Sequence, residues 1–382
     1  MKILFKSGST MMGGLEKVQS EYINFLVKKR YNIKVVIEND NGNENILEKD
    51  IKTKVFYLKN YEYIKKIKNL REKKNKNILN KIMYNIALYK ENKYSCKKFL
   101  KIYEEFKPDI VIDFDSSLTK IIKKLKKSKN LVWVHSSIPR WKKNKKRIES
   151  FVKRLENYDK VICICKEMKE ETLQLNKKLN KKLEYIYNPV DFEKIKKLSE
   201  KNFNSEEQKL IENKFLLTIS RLDCVPKDFE TLFKGFDIAK DKGYDGKLYL
   251  IGDGPDKEKV ENMRKRSKYG EDIYLLGKKE NPYNWLKKAD KLILSSRYEG
   301  FPTVLLEGLA LKKKIISSNC KTGPNEILNN KRGKLYQVGD SEKLSNYIIE
   351  NKKINFSKEY LKDFERKEIF QKFIKILEEK NV

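Results

Sequence analysis

The segment from Glu299 to Glu307 combines residue types that bind a diphosphate and a sugar. It follows a short apolar run, Leu292–Leu294, and contains Gly300 and Pro302 ahead of a helical pattern. Gly300 allows the backbone to approach a ligand closely, and Pro302 suits the first turn of a helix, whose exposed amides attract an anion. A carboxylate at Glu307 would accept hydrogen bonds from a ribose diol. The alternative is an ordinary strand, loop and helix with two solvated glutamates.

Two cations follow another apolar run. Ser220-Arg221-Leu222-Asp223 comes directly after Phe215–Leu217, and Lys227 lies four residues further on. Open α/β sheets bind ligands beyond the carboxyl ends of their strands. Arg221 and Lys227 are therefore predicted to face phosphate oxygens.

Two glycine-rich turns are weaker signals. Gly252-Asp253-Gly254-Pro255 follows a predicted strand, and Gly13-Gly14 lies between a predicted strand and a helix that runs to about Lys29. Glycines at a helix N-terminus leave room for phosphate. Each turn alone is more typical of a plain connection.

The elements that must position these residues form two series of short apolar runs separated by helical patterns, which indicates parallel sheets covered on both faces. In the first half the runs are Ile3–Phe5, Val35–Ile37, Ile110–Ile112, Leu131–Val134 and Val161–Ile164. In the second half they are Phe215–Leu217, Leu248–Ile251, Ile273–Leu276, Leu292–Leu294 and Ile315–Ile316. The polar segment 196–213 places the boundary between the halves near residues 188–205. At the end of the chain, Phe370, Phe373, Ile374 and Leu377 share one face of a predicted helix.

Together these pieces resemble the retaining glycosyltransferases of family 4, which have the GT-B fold of two facing Rossmann-like domains with a cleft between them. The resemblance covers most of the chain. It rests on Gly13-Gly14, His135 after an apolar strand, Asn188-Pro189-Val190-Asp191, Ser220-Arg221-Leu222 with Lys227, Gly252-Asp253-Gly254-Pro255, and the two glutamates eight residues apart. The glutamate pair is the most specific of these signals.

The resemblance implies a role for each matching residue. Arg221 and Lys227 would neutralise the donor diphosphate, Glu307 would hold the nucleotide ribose, and Glu299 would lie beside the transferred sugar. Gly14 would close on the diphosphate, and His135 would approach the sugar near the reacting centre. The implied catalytic set is His135, Arg221, Lys227 and Glu299, and the donor-binding set adds Gly14, Gly252, Gly300, Phe301, Pro302, Thr303, Val304 and Glu307. His135 has the alternative of a purely structural role.

The implied organisation has three parts: an acceptor-binding domain over residues 1–195, a nucleotide-sugar domain over 196–360, and a C-terminal helix over 361–382 that packs back on the N-terminal domain. The implied activity is a hexosyl or N-acetylhexosaminyl transfer that needs neither metal nor cofactor. A UDP-sugar is the expected donor, and a cell-envelope glycan or lipid-linked molecule is the expected acceptor.

The charge of the chain suggests a further partner. Its net charge is +33, of which residues 1–195 carry +23, and Lys59–Lys101 holds 14 Lys and Arg against three acidic residues. A basic amphipathic helix of this kind binds an anionic membrane surface, and Arg140–Arg147 places Trp141 among further cations. A lysine-rich composition without any partner is the alternative. Nucleic-acid binding would suit the charge, but no recognition motif accompanies it.

Two other interpretations of the sequence remain open. Asp113-Phe114-Asp115 has the form of the acidic pair that holds a metal in single-domain glycosyltransferases, and a sugar-nucleotide epimerase would share the two-domain fold.

One histidine and five cysteines without metal-site spacing predict no zinc centre, and Cys163 and Cys165 are expected to be buried strand residues. The start of the chain predicts no signal peptide, and no run of about 18 apolar residues is present. A cytoplasmic location is expected, with the cytoplasmic face of the inner membrane as the alternative.

Overall fold

The computed structural model describes residues 1–9, 14–40, 55–142, 144–329, 331–351 and 356–379. The chain divides into two compact units. The first comprises Met1–Ile164, Lys169–Ile186 and Lys372–Val382, and the second comprises Cys165–Met168 and Tyr187–Gln371. The sequence alone places these limits after residues 195 and 360.

The first unit contains a seven-stranded parallel sheet in the order β3-β2-β1-β4-β5-β6-β7. Its strands are β1 (Lys2–Ser7), β2 (Asn32–Asn39), β3 (Val55–Lys59), β4 (Ile110–Asp113), β5 (Lys129–Val134), β6 (Lys160–Cys163) and β7 (Leu183–Tyr185). The central strands β4 and β5 are buried along their whole length. Burial on both faces explains why they read as uninterrupted apolar runs.

Helices connect these strands. They are α1 (Gly14–Lys28), α2 (Tyr61–Lys73), α3 (Ile78–Phe106), α4 (Ile138–Lys142), α5 (Lys145–Leu155) and α6 (Lys166–Leu175), with 3-10 turns at Ser117–Lys120, Ile122–Lys124 and Lys177–Leu179. The 29 residues of α3 form the longest of them. In the described part of the chain, no helix combines the length and the apolar character needed to cross a membrane.

The last helix, α15 (Arg366–Glu378), contributes its second half to the first unit. The Phe373 ring lies 5.0 Å from the ring of Tyr22 and 5.7 Å from that of Trp133. The Lys129 ammonium donates to the Ile376 carbonyl at 2.7 Å, and Lys160 pairs with Glu379 at 2.8 Å. The cations satisfy groups at the carboxyl end of the helix, where unpaired carbonyls and the helix dipole favour positive charge.

The second unit contains a six-stranded parallel sheet in the order β10-β9-β8-β11-β12-β13. Its strands are β8 (Phe215–Ile219), β9 (Lys247–Ile251), β10 (Ile273–Leu275), β11 (Lys291–Leu294), β12 (Lys314–Ser318) and β13 (Lys334–Tyr336). Because β8 lies between β9 and β11, the loops that follow these three strands emerge side by side at one edge of the sheet.

The helices of this unit are α7 (Phe192–Ser199), α8 (Ser205–Ile211), α9 (Phe229–Asp241), α10 (Lys257–Arg266), α11 (Tyr283–Lys288), α12 (Thr303–Ala310), α13 (Pro324–Leu328) and α14 (Ser341–Ile349), with 3-10 turns at Gly270–Asp272 and Lys358–Phe364. The polar segment 196–213 is thus not a plain linker, because it completes α7 and contains all of α8. A reciprocal capping box between Asn204 and Glu207 starts α8.

Candidate active site

Lys227 and Glu299 form an ion pair at the edge of the second sheet. The Lys227 Nζ lies 2.5 Å from the Glu299 Oε1, and both side chains are 14% exposed. The Ser296 hydroxyl donates to the same carboxylate oxygen at 2.6 Å, and the backbones of Lys227 and Ser296 form an antiparallel bridge. The loops after β8 and β11, which the sequence assigns separately to phosphate and sugar, therefore meet through these two side chains.

Arg297 holds the loop that carries Lys227. Its guanidinium donates to the carbonyls of Cys224 and Lys227 and to Asp228 Oδ1, each at 2.8 Å. Asp228 in turn caps the N-terminus of α9. This positioning role is not predicted from the sequence, although Arg297 lies three residues after the end of β11, much as Arg221 lies two residues after the end of β8.

The loop after β12 supports the backbone at Glu299. The Thr322 hydroxyl donates to the Glu299 carbonyl, and the Glu299 amide donates to the Lys321 carbonyl at 3.4 Å. The turn that bears Glu299 is thus fixed from both sides, by Lys227 through its side chain and by residues 321–322 through its backbone.

No side chain in the described part of the protein caps the N-terminus of α12. The helix begins at Thr303 with Pro302 in the N-cap position, one residue earlier in the helix than the first-turn position expected from the sequence, and it has no acidic residue in its first turn. The first amides of any helix lack acceptors within that helix. Phe301 buries its ring against Tyr187, with centroids 5.0 Å apart and planes 16° apart. The uncapped amides of Thr303 and Val304 are therefore suited to an anion.

Gly252 permits a close backbone contact that supports the loop containing Arg221. The Ser220 amide donates to the Ile251 carbonyl and the Leu222 amide donates to the Asp253 carbonyl, both at 3.0 Å. Gly252 has φ +151°, and a Cβ there would lie 1.8 Å from the Ser220 carbonyl oxygen. Only glycine permits this approach, so the structure gives Gly252 a role in shaping the loop on which Arg221 stands.

Arg221 itself is exposed. Within the described parts of the chain its guanidinium has no hydrogen bond or ion pair, in contrast to Lys227. It therefore presents an uncompensated positive charge beyond the end of β8.

Glu307 lies half-buried in the second turn of α12. Burial, followed by the charges of Glu307 and Asp191, raises the pKa of Tyr283. Asp191 also pairs with Arg366 at 2.6 Å. The Tyr283 hydroxyl therefore keeps its proton beside the Glu307 carboxylate, which gives this region a donor and an acceptor for hydroxyl groups.

Gly14 and His135 belong to the first unit. Gly14 is the first residue of α1, and a Cβ there would meet no atom within 4 Å; Gly13 lies outside the described residues. The His135 Nε2 donates to the Phe114 carbonyl at 2.7 Å, and burial lowers the pKa of His135 to about 4. At neutral pH the ring is therefore uncharged, with Nδ1 as its remaining acceptor.

In the Asp113-Phe114-Asp115 segment, protein donors hold the first carboxylate. The buried Asp113 carboxylate accepts from the Tyr158 hydroxyl at 2.5 Å and from the amides of Ser117 and Leu118 at 2.9 and 3.0 Å. These donors occupy its oxygens and hold the turn after β4. Among the residues that the structure describes, no group of three or more His, Cys, Asp or Glu side chains could hold a metal ion. Cys163 and Cys165 are buried and form no disulfide among the described residues. Cys163 ends β6 as expected, whereas Cys165 lies beyond the strand.

We expect Gly252→Ala to destabilise the second unit because the new methyl group would overlap the Ser220 carbonyl. Gly243→Ala is the matched control: its φ of +92° is also unfavourable for alanine, but no atom lies within 4 Å of a Cβ there. The control should cost about 1 kcal/mol, and Gly252→Ala clearly more. Urea unfolding measures both values, and equal costs would contradict the bracing role.

The single histidine makes its protonation directly observable. Because the pKa of His135 is lower in the folded than in the unfolded protein, its contribution to stability is present above pH of about 6.5 and is lost as the pH falls toward 4. In a proton NMR titration of untagged protein, the His135 ring signals should not titrate between pH 8 and about 5.5. The same signals in urea should titrate near 6.5. A midpoint near 6.5 in the folded protein would contradict the burial of the ring.

Two family models match the chain in succession. Residues 12–194 match the model described as Glycosyltransferase Family 4, and residues 199–368 match Glycosyl transferases group 1. An uncharacterized glycosyltransferase of Methanocaldococcus jannaschii is 30% identical over 246 residues, which are 60% of each chain. The N-acetylgalactosamine-N,N'-diacetylbacillosaminyl-diphospho-undecaprenol 4-alpha-N-acetylgalactosaminyltransferase of Campylobacter jejuni is 31% identical over 147 residues, 38% of each chain. The aligned part of the chain thus spans less than two thirds of these curated relatives.

A solved structure covers the whole fold. The Anabaena protein HepE, determined in complex with UDP and glucose, superposes with a TM-score of 0.75 over 99% of both chains, at 16% identity. The comparisons give no support to the epimerase or nucleic-acid alternatives. With its two parallel sheets and the two consecutive family matches, the chain belongs to the GT-B glycosyltransferases of family 4.

Proposed function

We propose that the protein is a retaining, metal-independent glycosyltransferase that moves a hexosyl or N-acetylhexosaminyl group from a UDP-sugar to a cell-envelope glycan or lipid-linked acceptor. The main observation that supports the donor site is the Lys227–Glu299 pair, which joins the loop after β8 to the loop that precedes α12. Membership of family 4 supports the reaction class. The UDP in the Anabaena neighbour and the diphospho-undecaprenol in the name of the Campylobacter relative support the choice of donor and acceptor.

The second unit offers three sources of positive potential for a departing diphosphate. Arg221 supplies a guanidinium without an ion pair in the described chain, Lys227 supplies an ammonium, and α12 supplies the uncapped amides of its first turn. Charge that is placed in advance where negative charge develops lowers the barrier to leaving-group departure. These groups would perform the neutralising task that other glycosyltransferases give to a metal ion.

Glu299 compensates Lys227 before the donor binds. A partly buried ammonium without a counter-ion is unfavourable, and the carboxylate removes that cost. When the diphosphate arrives, Lys227 gains a second anionic partner, and Glu299 becomes available to accept hydrogen bonds from sugar hydroxyls. Glu299 thus acts on the sugar as a hydrogen-bond acceptor, and no general-base role is assigned to it.

Glu307 would hold the ribose diol. It lies one helical turn beyond Thr303, so the carboxylate and the uncapped amides occupy the same helix. The protonated Tyr283 hydroxyl beside it adds a donor. The neutral His135 ring of the first unit supplies an acceptor, Nδ1, for a hydroxyl of the sugar or the acceptor.

We also propose that the first unit contacts an anionic membrane through α2 and the N-terminal half of α3. The structure buries no residue of α2, and the buried residues of α3 begin at Glu91. Large apolar side chains of α3 are instead exposed: Ile78, Leu79, Ile82, Met83, Ile86 and Tyr89, with Ile78 at 74% and Leu79 at 67%. Exposed aliphatic side chains beside a lysine-rich face are typical of helices that lie on a bilayer surface.

Lys227→Ala should weaken binding of UDP by at least tenfold because it removes a direct charge partner of the diphosphate. The control is Lys234→Ala, which removes the charge of an exposed lysine on α9. Isothermal titration calorimetry with UDP measures both affinities. If the unaltered protein does not bind UDP saturably at millimolar concentration, the proposed donor is wrong.

Replacing Ile78, Ile82 and Ile86 together by serine should reduce sedimentation with vesicles that contain anionic lipid. The control replaces three exposed aliphatic residues of the second unit, Val225, Val338 and Ile349, by serine. Unaltered protein should sediment more strongly with anionic than with neutral vesicles, and salt should weaken the difference. Equal recovery with both kinds of vesicle at low salt would exclude this membrane contact.

A further inference from the structure

The first unit contains a cavity of about 720 Å³ that the donor site does not use. It is formed by the loop after β4 together with α4 and α5. Five cationic side chains line it: Lys120, Lys142, Lys146, Arg147 and Arg154. We call it the basic cavity. Its volume is in the range of sites that enclose a small molecule.

The positive charge in the basic cavity is not compensated by the protein. Among the described lining residues Asp115 is the only carboxylate, and the Ser117 hydroxyl already donates to it at 2.7 Å. Across the described ranges of the chain, none of the five cations forms an ion pair with a carboxylate. Elsewhere in the same unit, the buried Lys6 pairs with Glu38 at 2.9 Å, and Lys59 pairs with both Glu38 and Glu91 at 2.8 Å. Within the described chain, Lys142 and Arg154, the two half-buried cations of the basic cavity, therefore lack the carboxylate partners that Lys6 and Lys59 have.

Lys142 experiences the repulsion among these cations most directly. Its ammonium is half-buried, 3.3 Å from the centroid of the Trp141 ring and 4.5 Å from that of Phe151. Burial, followed by the charges of Arg154, Lys120 and Arg147, lowers the pKa of Lys142. Like charges gathered in a partly enclosed space repel one another. An anion bound among them would remove that repulsion and would gain charge-assisted hydrogen bonds.

The remaining lining fits an organic group attached to the anion. Trp141 is 46% exposed and lines the cavity, with the Lys142 ammonium over its ring. Ser150, exposed on α5, offers a hydroxyl. Aromatic faces pack on the apolar side of sugars and isoprenoids. Lys143, in the connection between α4 and α5, lies outside the described residues.

We propose that the basic cavity binds the phosphate or diphosphate group of the acceptor. The proposal rests on the proposed glycosyltransferase function, because a transferase needs an acceptor site in addition to the donor site of the second unit. Five uncompensated cations around one carboxylate suit an anion with more than one negative charge. A phosphorylated acceptor, either lipid-linked or water-soluble, has this chemistry, and the neutral reducing end of a free glycan does not.

The test measures binding of two probes to the full chain by isothermal titration calorimetry in saturating UDP, so that the donor site is occupied. Inorganic pyrophosphate represents the diphosphate group alone, and geranyl diphosphate represents a diphosphate attached to an isoprenoid. We expect the Lys142→Gln/Arg154→Gln protein to bind both probes at least tenfold more weakly than the unaltered protein. The exposed pair Lys146→Gln/Arg147→Gln should show a loss in the same direction.

The matched control is Lys123→Gln/Lys126→Gln, which removes two exposed charges of the same unit outside the cavity lining, and it should bind within twofold of the unaltered protein. Tighter binding of geranyl diphosphate than of pyrophosphate would identify a lipid-linked acceptor, and equal binding would identify a water-soluble one. Unchanged affinity in both cavity variants, an equal loss in the control, or no probe binding to the unaltered protein would overturn the proposal. UDP affinity is recorded for every variant: its retention with loss of probe binding locates the defect in the basic cavity, whereas absence of UDP binding by the unaltered protein refutes the donor site instead.

Discussion

Parallel pairing of β8 with β9 on one side and β11 on the other is the constraint on which the candidate donor site depends. Three loops must emerge together because their strands run in the same direction. Backbone hydrogen bonds then join the loop after β8 to the turn after β9, and Arg297 joins it to the end of β11. Arg221, Lys227 and Glu299 therefore stand on a framework that needs no ligand to form. Such preorganisation reduces the ordering cost when a charged substrate binds.

Lysine serves three different purposes in this chain. Lys227 pairs with one carboxylate, Glu299, at the edge of the second sheet. Lys129 and Lys160 hold the end of a helix by meeting its carbonyls and a terminal glutamate. Lys142 and the other cations of the basic cavity have no carboxylate partner within the described chain. The large net charge is therefore partly structural and partly concentrated at sites that a small anion would fill.

The sequence predicts the inner strands well and the outer strands poorly. Every predicted apolar run overlaps a strand. Nine of the ten runs lie on inner strands, which are covered on both faces and contain few polar residues, and the tenth lies on β10, an edge strand of the second sheet. The strands missed are β3 and β7, the two edges of the first sheet, and β13, an edge of the second. All three are partly exposed, and β7 and β13 are only three residues long. Edge strands are commonly short and polar, so they resemble loops in sequence.

The sequence likewise predicts only some features of the candidate site. A residue that follows a strand could be assigned to the binding edge from sequence, as Arg221, Lys227 and Glu299 were. A partner that depends on contacts distant in sequence could not. Nothing in the local pattern indicates that Gly252 must accommodate the Ser220 carbonyl, that Arg297 holds the backbone at Lys227, or that Asp113 accepts a hydrogen bond from Tyr158.

The position of Phe373 in the first unit has a consequence for how the protein is made. Its ring completes an aromatic cluster with Tyr22 and Trp133, residues that leave the ribosome long before it does. The whole second unit is synthesised in between and has its own sheet and core, so it can fold while the first unit still lacks part of its interior. The nascent first unit therefore exposes apolar surface until Phe373 has been synthesised. In the cell, this is the interval in which chaperones would be needed most.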